Sequence, residues 1–163
     1  MKPLIWKVRH FTIVILLLFG FISCQNGTVF HESSDIEGSN WNEKDLKSFR
    51  FASEDSLQAY DFYLSIRNSS QYRYSNLYLF LNTHFPDGQI YSDTIECILA
   101  NDEGKWTGSG IGSIKENSYL IRRNTRLPLK GEYVFELQQG MRHEILEGIH
   151  DIGFKIVRTP DKN

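Results

Sequence analysis

Asp61-Phe62-Tyr63-Leu64-Ser65-Ile66-Arg67 decides the fold class of this 163-residue chain. Phe62, Leu64 and Ile66 alternate with Asp61, Tyr63, Ser65 and Arg67, and a two-residue period marks a strand with one buried and one solvated face. The same period recurs downstream. Tyr133, Phe135 and Leu137 alternate with Glu132, Val134 and Glu136, and Ile152, Phe154 and Ile156 share one face of the last strand. Residues 77–85 begin apolar on both faces, as a central strand does, and end in Phe85-Pro86-Asp87-Gly88, whose Pro, Asp and Gly spell a turn. A strand over 89–100 follows, with Ile95, Cys97 and Leu99 on one face, and Asn101-Asp102-Glu103-Gly104 turns the chain again. Residues 106–114 and 118–123 read as the next pair of strands. About seven to eight strands separated by turn signals, with little helical period between them, predict an all-β antiparallel sandwich of jelly-roll or immunoglobulin-like type.

Two segments depart from that pattern. Met141, Ile145, Leu146 and Ile149 are spaced by four, one and three, so a short helical turn or an irregular crossover between sheets is expected over 141–149. Residues 45–49 are candidates for another short turn. No internal repeat or second domain is visible, and the sandwich is expected to occupy 41–158 with a tail at 159–163.

The start of the chain carries a targeting signal. Lys2, Lys7 and Arg9 precede an apolar run over 11–22 that is short for a membrane span of roughly 20 residues, and Ser23-Cys24 closes it. A small residue before a cysteine at that place looks like a bacterial lipobox, with residues 1–23 as the signal peptide and Cys24 as the lipidated first residue of the mature protein. An uncleaved anchor and an ordinary signal peptide cut elsewhere are the other readings, and both also put the rest outside the cytoplasm. Residues 24–40 are mostly polar and read as a tether holding the domain off the bilayer, with a first short strand at its end.

Loss of Lys2, Lys7 and Arg9 moves the formal net charge from −2 to −5, three positive charges fewer. An acidic balance argues against nucleic acid as a partner, because phosphate binding needs clustered Lys and Arg. The densest basic patch, Arg122, Arg123 and Arg126, is short and reads as a solvated strand face, with an acidic partner surface as the alternative. Cys97, in a strand and without a nearby histidine, reads as a small buried hydrophobe.

No catalytic motif has the right spacing. The glycines of Gly108-Ser109-Gly110-Ile111-Gly112-Ser113 lack the Gly-Lys-Ser/Thr of a phosphate loop and the symmetric glycines of a nucleophile elbow. Their plain meaning is a bulge, a bend or the close approach of another backbone. His31, His84, His143 and His150 are too scattered for a metal motif, although His143 and His150 flank one crossover. No catalytic residue, metal site or cofactor is therefore assigned. The aromatic content of 13% raises a glycan-binding alternative, with Tyr63, Tyr72, Tyr74 and Tyr78 as the candidate platform. Cross-strand pairing on a sheet face accounts for the same residues.

Several stretches resemble a known family. They are Tyr63-Leu64-Ser65-Ile66-Arg67-Asn68, Tyr72-Arg73-Tyr74-Ser75-Asn76-Leu77-Tyr78-Leu79-Phe80, Phe85-Pro86-Asp87-Gly88, Asp93-Thr94, Leu99-Ala100, Gly104-Lys105-Trp106, Gln139-Gly140-Met141-Arg142, Leu146, Gly148-Ile149, Asp151 and Gly153. In this order, and across nearly the whole mature domain, they resemble the gliding-motility lipoprotein GldH family of Bacteroidetes. The resemblance implies a non-enzymatic envelope lipoprotein that works with companion lipoproteins in gliding motility and the linked type IX secretion machinery. It implies diacylglycerol and N-acyl lipid on Cys24 and no other cofactor. Partners would be the membrane and other envelope, secretion or motility proteins, with neither nucleic acid nor a small-molecule ligand expected.

Gln25 and Asn26 lack the acidic cluster associated with surface export, so the expected address is the outer membrane, facing the periplasm. The family pattern contains both Arg142 and Asp151, which reads either as a structural clamp across the last crossover or as a partner-docking site. Asp55-Ser56-Leu57 and Asp93-Thr94-Ile95 fit the short Asp-Ser/Thr-apolar pattern for O-glycosylation in these bacteria.

Overall fold

The alternating segment at 61–67 lies in β4, Ala59–Ser69, with Phe62, Leu64 and Ile66 fully inward and Tyr63, Ser65 and Arg67 on the other face. The computed structural model describes residues 27–160. The other strands are β1 (Thr28–Asp35), β2 (Asn40–Asn42), β3 (Lys47–Ser53), β5 (Asn76–His84), β6 (Ile90–Ile98), β7 (Ile114–Arg126), β8 (Gly131–Gln139), β9 (Ile145–Glu147) and β10 (Ile149–Arg158). They pair as nested hairpins: β5 with β6, β4 with β7, β3 with β8, β2 with β9 and β1 with β10, all antiparallel.

The chain doubles back at Phe85-Pro86-Asp87-Gly88. There Phe85 and Gln89 close the loop by a 2.8 Å backbone bond, Gly88 takes φ +85°, and Asp87 accepts a hydrogen bond from the Gln89 N–H. The doubled ribbon then rolls up through β10–β4 and β5–β8 pairing into sheets ordered β1-β10-β4-β7 and β3-β8-β5-β6, with β2-β9 as a small third sheet. This order is a jelly roll, so the immunoglobulin-like alternative falls away.

The inner faces close on aromatic side chains. Phe154 of β10 lies 4.8 Å from Phe135 of β8 and 5.5 Å from Phe49 of β3, ring centre to ring centre, and Phe62 packs 5.6 Å from Phe135. Each such pair adds about 0.5–1.5 kcal/mol beyond the area it buries. One end of the sandwich is sealed by Trp41 of β2, which is fully buried while its indole N–H donates to the Asp45 carbonyl. Lys47 also points inward there, and its ammonium is satisfied by the Asp35 carbonyl and the Asp45 carboxylate at 3.0 and 2.7 Å.

Four expectations need correction, and of the two readings of the crossover over 141–149 the irregular one holds. The tether over 24–40 is largely replaced by β1 and a single 3-10 turn, Glu37–Ser39, so the sandwich begins at Thr28 and not at 41. β1 was inconspicuous because it is an edge strand held by backbone bonds to β10, with mainly Phe30 turned to the core. Residues 45–49 do not form a separate turn but lead into β3 at Lys47. Residues 106–113 are a loop and not a strand, touching neighbours through single bridges, Ala100 to Trp106 and Ser109 to Glu116, and β7 begins only at Ile114. The crossover over 141–149 is the irregular kind: it holds β9 and no helical turn, with Ile145 exposed and Leu146 and Ile149 buried. Ten strands result instead of seven or eight, since β2 and β9 are only three residues each.

Candidate functional site

The crossover between β8 and β10, with the start of β10, carries Arg142, His143, His150 and Asp151. Gln139, buried at the end of β8, holds the loop that follows: its Nε2 donates to the His143 carbonyl at 2.7 Å, and its Oε1 accepts from the Met141 N–H at 2.9 Å. The Gly140 N–H donates to the Tyr78 carbonyl, and a Cβ on Gly140 would lie 3.2 Å from the Phe80 ring. Met141 Sδ accepts from the Tyr78 N–H. Gly148 has φ +92° and lies against the Tyr72 backbone, where a side chain would be both strained and obstructed. His150 meets Ser39 Oγ at 2.7 Å, and His143 sits beside the Tyr74 ring at 6.0 Å, so the two histidines have separate partners.

Asp151 is 3% exposed although it lies on the outer face of the first sheet, between Asp35 of β1 and Arg67 of β4. Its carboxylate pairs with the Arg67 guanidinium and not with Arg142, which is exposed. The expected Arg142–Asp151 clamp is therefore an Arg67–Asp151 clamp. Burial pushes the Asp151 carboxyl above the ordinary carboxylate range, and Arg67 offsets part of that shift. The reading missed Arg67 because it is an outward residue of an alternating strand, and only the β4–β10 register sets it opposite Asp151.

The four tyrosines do not share a surface. Tyr63 is on the outer face of the first sheet, under the Lys155 ammonium at 4.6 Å from the ring centre. Tyr72 is buried, its hydroxyl donating to the Asn76 carbonyl and pushed well above the ordinary phenol range by burial. Tyr74 packs edge-on against Tyr72 at 5.5 Å. Tyr78 is half-exposed on the outer face of the second sheet, on the opposite side of the sandwich from Tyr63. Beside it, Phe80 and Ile98 are exposed and Met141 packs alongside, an apolar patch next to the crossover.

Among the described residues no group of three or more His, Cys, Asp or Glu is placed to hold a metal ion, and no helix is long and apolar enough to cross a membrane. Cys97 is fully buried, and burial pushes its thiol up to about 12, which leaves it protonated and unreactive at neutral pH. The glycine run allows backbone approach: a Cβ on Gly108 would sit 2.7 Å from the Glu116 carbonyl oxygen. Of the three clustered arginines, Arg122 pairs with Asp93 at 2.9 Å and lies over the Tyr91 ring, whereas Arg123 and Arg126 line an open groove with Leu57 and Asp61. Ser56 lies in the β3–β4 loop and Thr94 on exposed β6. Cys24 lies outside the described residues.

Fold and surface together define a β-sandwich module with a polar clamp at one crossover and an apolar patch beside it. The chain belongs to the GldH lipoprotein family, whose description matches residues 28–156. It is 35% identical to a gliding motility lipoprotein GldH homolog of Christiangramia forsetii, over 90% of this chain and 94% of that one. It is 29% identical to the gliding motility lipoprotein GldH of Flavobacterium johnsoniae, over 92% and 97% of the two chains. Among solved structures, TmCBM61 in complex with β-1,4-galactotriose aligns with 83% of this chain and 92% of its own at 12% identity. Its TM-score of 0.27 is too low to bear on fold or ligand.

Proposed function

We propose that this chain is a non-enzymatic lipoprotein of the outer membrane. It is anchored by acyl chains on Cys24, faces the periplasm and supports the assembly or stability of an envelope complex of gliding motility and type IX secretion. The observation that carries this reading is the family match over residues 28–156, which runs from β1 to β10. Buried Gln139 and the backbone of Gly148 fix the crossover, and buried Asp151 ties β10 to β4 through Arg67, which fits a rigid scaffold. Tyr78, Phe80, Ile98 and Met141 give that scaffold an exposed apolar patch, and such patches rimmed by polar residues mark protein contacts.

Deleting the gene and measuring companion lipoprotein levels and secreted cargo tests the reading. Loss of both is expected, and a deletion strain with both intact contradicts it. The glycan-binding alternative has no support from the tyrosines, since they are divided between two outer faces and the interior.

A further inference from the structure

The sandwich has no spacer between it and the proposed anchor. Cys24 precedes Gly27 by three residues, which span at most about 10–11 Å. Gly27 is already tied to the sheet, because its carbonyl accepts from the Arg158 N–H at 2.8 Å. The next residue, Thr159, donates to the Ala59 carbonyl at 2.9 Å, so the start of β4 is only two strand spacings, about 10 Å, from Gly27. The end of the molecule where β1 and β4 begin and β7 and β10 finish must therefore rest at the headgroup layer if Cys24 is acylated.

That end carries an open groove of about 700 Å³ lined by Leu57, Asp61, Arg123, Asn124, Arg126 and Thr159. Leu57 is 74% exposed at the tip of the β3–β4 loop, which the Asp55 carboxylate braces by accepting from the Leu57 N–H at 2.9 Å. Asp61 is occupied, accepting from the Asn124 N–H at 2.7 Å, where a positive φ bulges β7. Arg123 and Arg126 are exposed and, like Arg73, Arg142 and Arg158, make no ion pair among the described residues, but these two line the same groove. A guanidinium fork matches a phosphate in two hydrogen bonds.

We infer that this groove is a phospholipid-headgroup site. Arg123 and Arg126 hold the phosphate of a lipid in the leaflet that takes the Cys24 acyl chains, and Leu57 dips into the interface, so the sandwich stands with its 101–113 loop away from the membrane. The inference rests on acylation of Cys24.

The test uses the full lipidated chain reconstituted in vesicles of phosphatidylethanolamine and phosphatidylglycerol. A spin label is placed at Leu57→Cys or, at the opposite end, at the fully exposed Ile111→Cys. The label at 57 is expected to be reached by oxygen more readily than by a water-soluble nickel complex, and the label at 111 the reverse. Arg123→Glu with Arg126→Glu should move label 57 into water while the chain still sediments with the vesicles. A label at 57 as aqueous as that at 111, on a chain whose acylation is verified by mass, overturns this inference alone. An unacylated Cys24 removes the anchoring reading and this inference with it. A label at 57 that stays in the interface in the Arg123→Glu, Arg126→Glu variant overturns the assignment of the lipid phosphate to these two arginines.

Discussion

Asp151 shows how a single residue can be legible in type and illegible in role. Its place in the family pattern was visible, but its partner depended on a register that only the folded sheet supplies, and Arg67 took the place given to Arg142. The pair is lopsided, with Asp151 almost fully buried and Arg67 about half exposed, so burial outweighs the attraction and the carboxyl is raised. The native state therefore holds its proton more tightly than the unfolded chain. The contribution of this group to stability is complete below the unfolded value of about 3.9 and is lost as pH rises through the higher folded value. Urea unfolding of wild type and Asp151→Asn across pH 3–8 should show the wild-type advantage shrinking as pH rises. An advantage that grows with pH would mean that the Arg67 attraction dominates.

Strands that bury a full face were plain in the sequence, and those that do not were hidden. Phe62, Leu64 and Ile66 in β4, and Ile152, Phe154 and Ile156 in β10, announce their period because each inward position is apolar. β1 turns mainly Phe30 to the core, and β3 places Lys47 and Ser53 at inward positions, so neither offers the period a reader looks for. The glycine run was understood in purpose but not in setting. Close backbone approach is what Gly108 provides, from a loop joined to β7 by the Ser109–Glu116 pair of bonds at 2.9 and 2.7 Å. Gly108→Ala should cost about 1–3 kcal/mol in denaturant unfolding, with amide exchange accelerated at Ser109 and Glu116 before β10. An unchanged midpoint would show that the loop shifts aside without penalty.

At the scale of the whole molecule, the chain is a ribbon folded in half at residues 85–89 and rolled into two sheets, with both ends of the ribbon at one end of the sandwich. That arrangement puts Gly27, three residues after Cys24, on the sheet itself. The targeting signal expected over 1–23 lies outside the described residues. The strand inside the expected tether was not legible, because the polar β1 reads as linker until β10 pairs with it.

The central claim is that this domain works by being held at a membrane, and Cys24→Ser tests it most directly. The variant, exported behind a cleavable non-lipoprotein signal peptide that replaces residues 1–23, should fold with an unchanged circular dichroism spectrum, leave the membrane fraction and fail to restore secretion in a deletion strain. Full restoration by a folded, soluble variant would contradict the account.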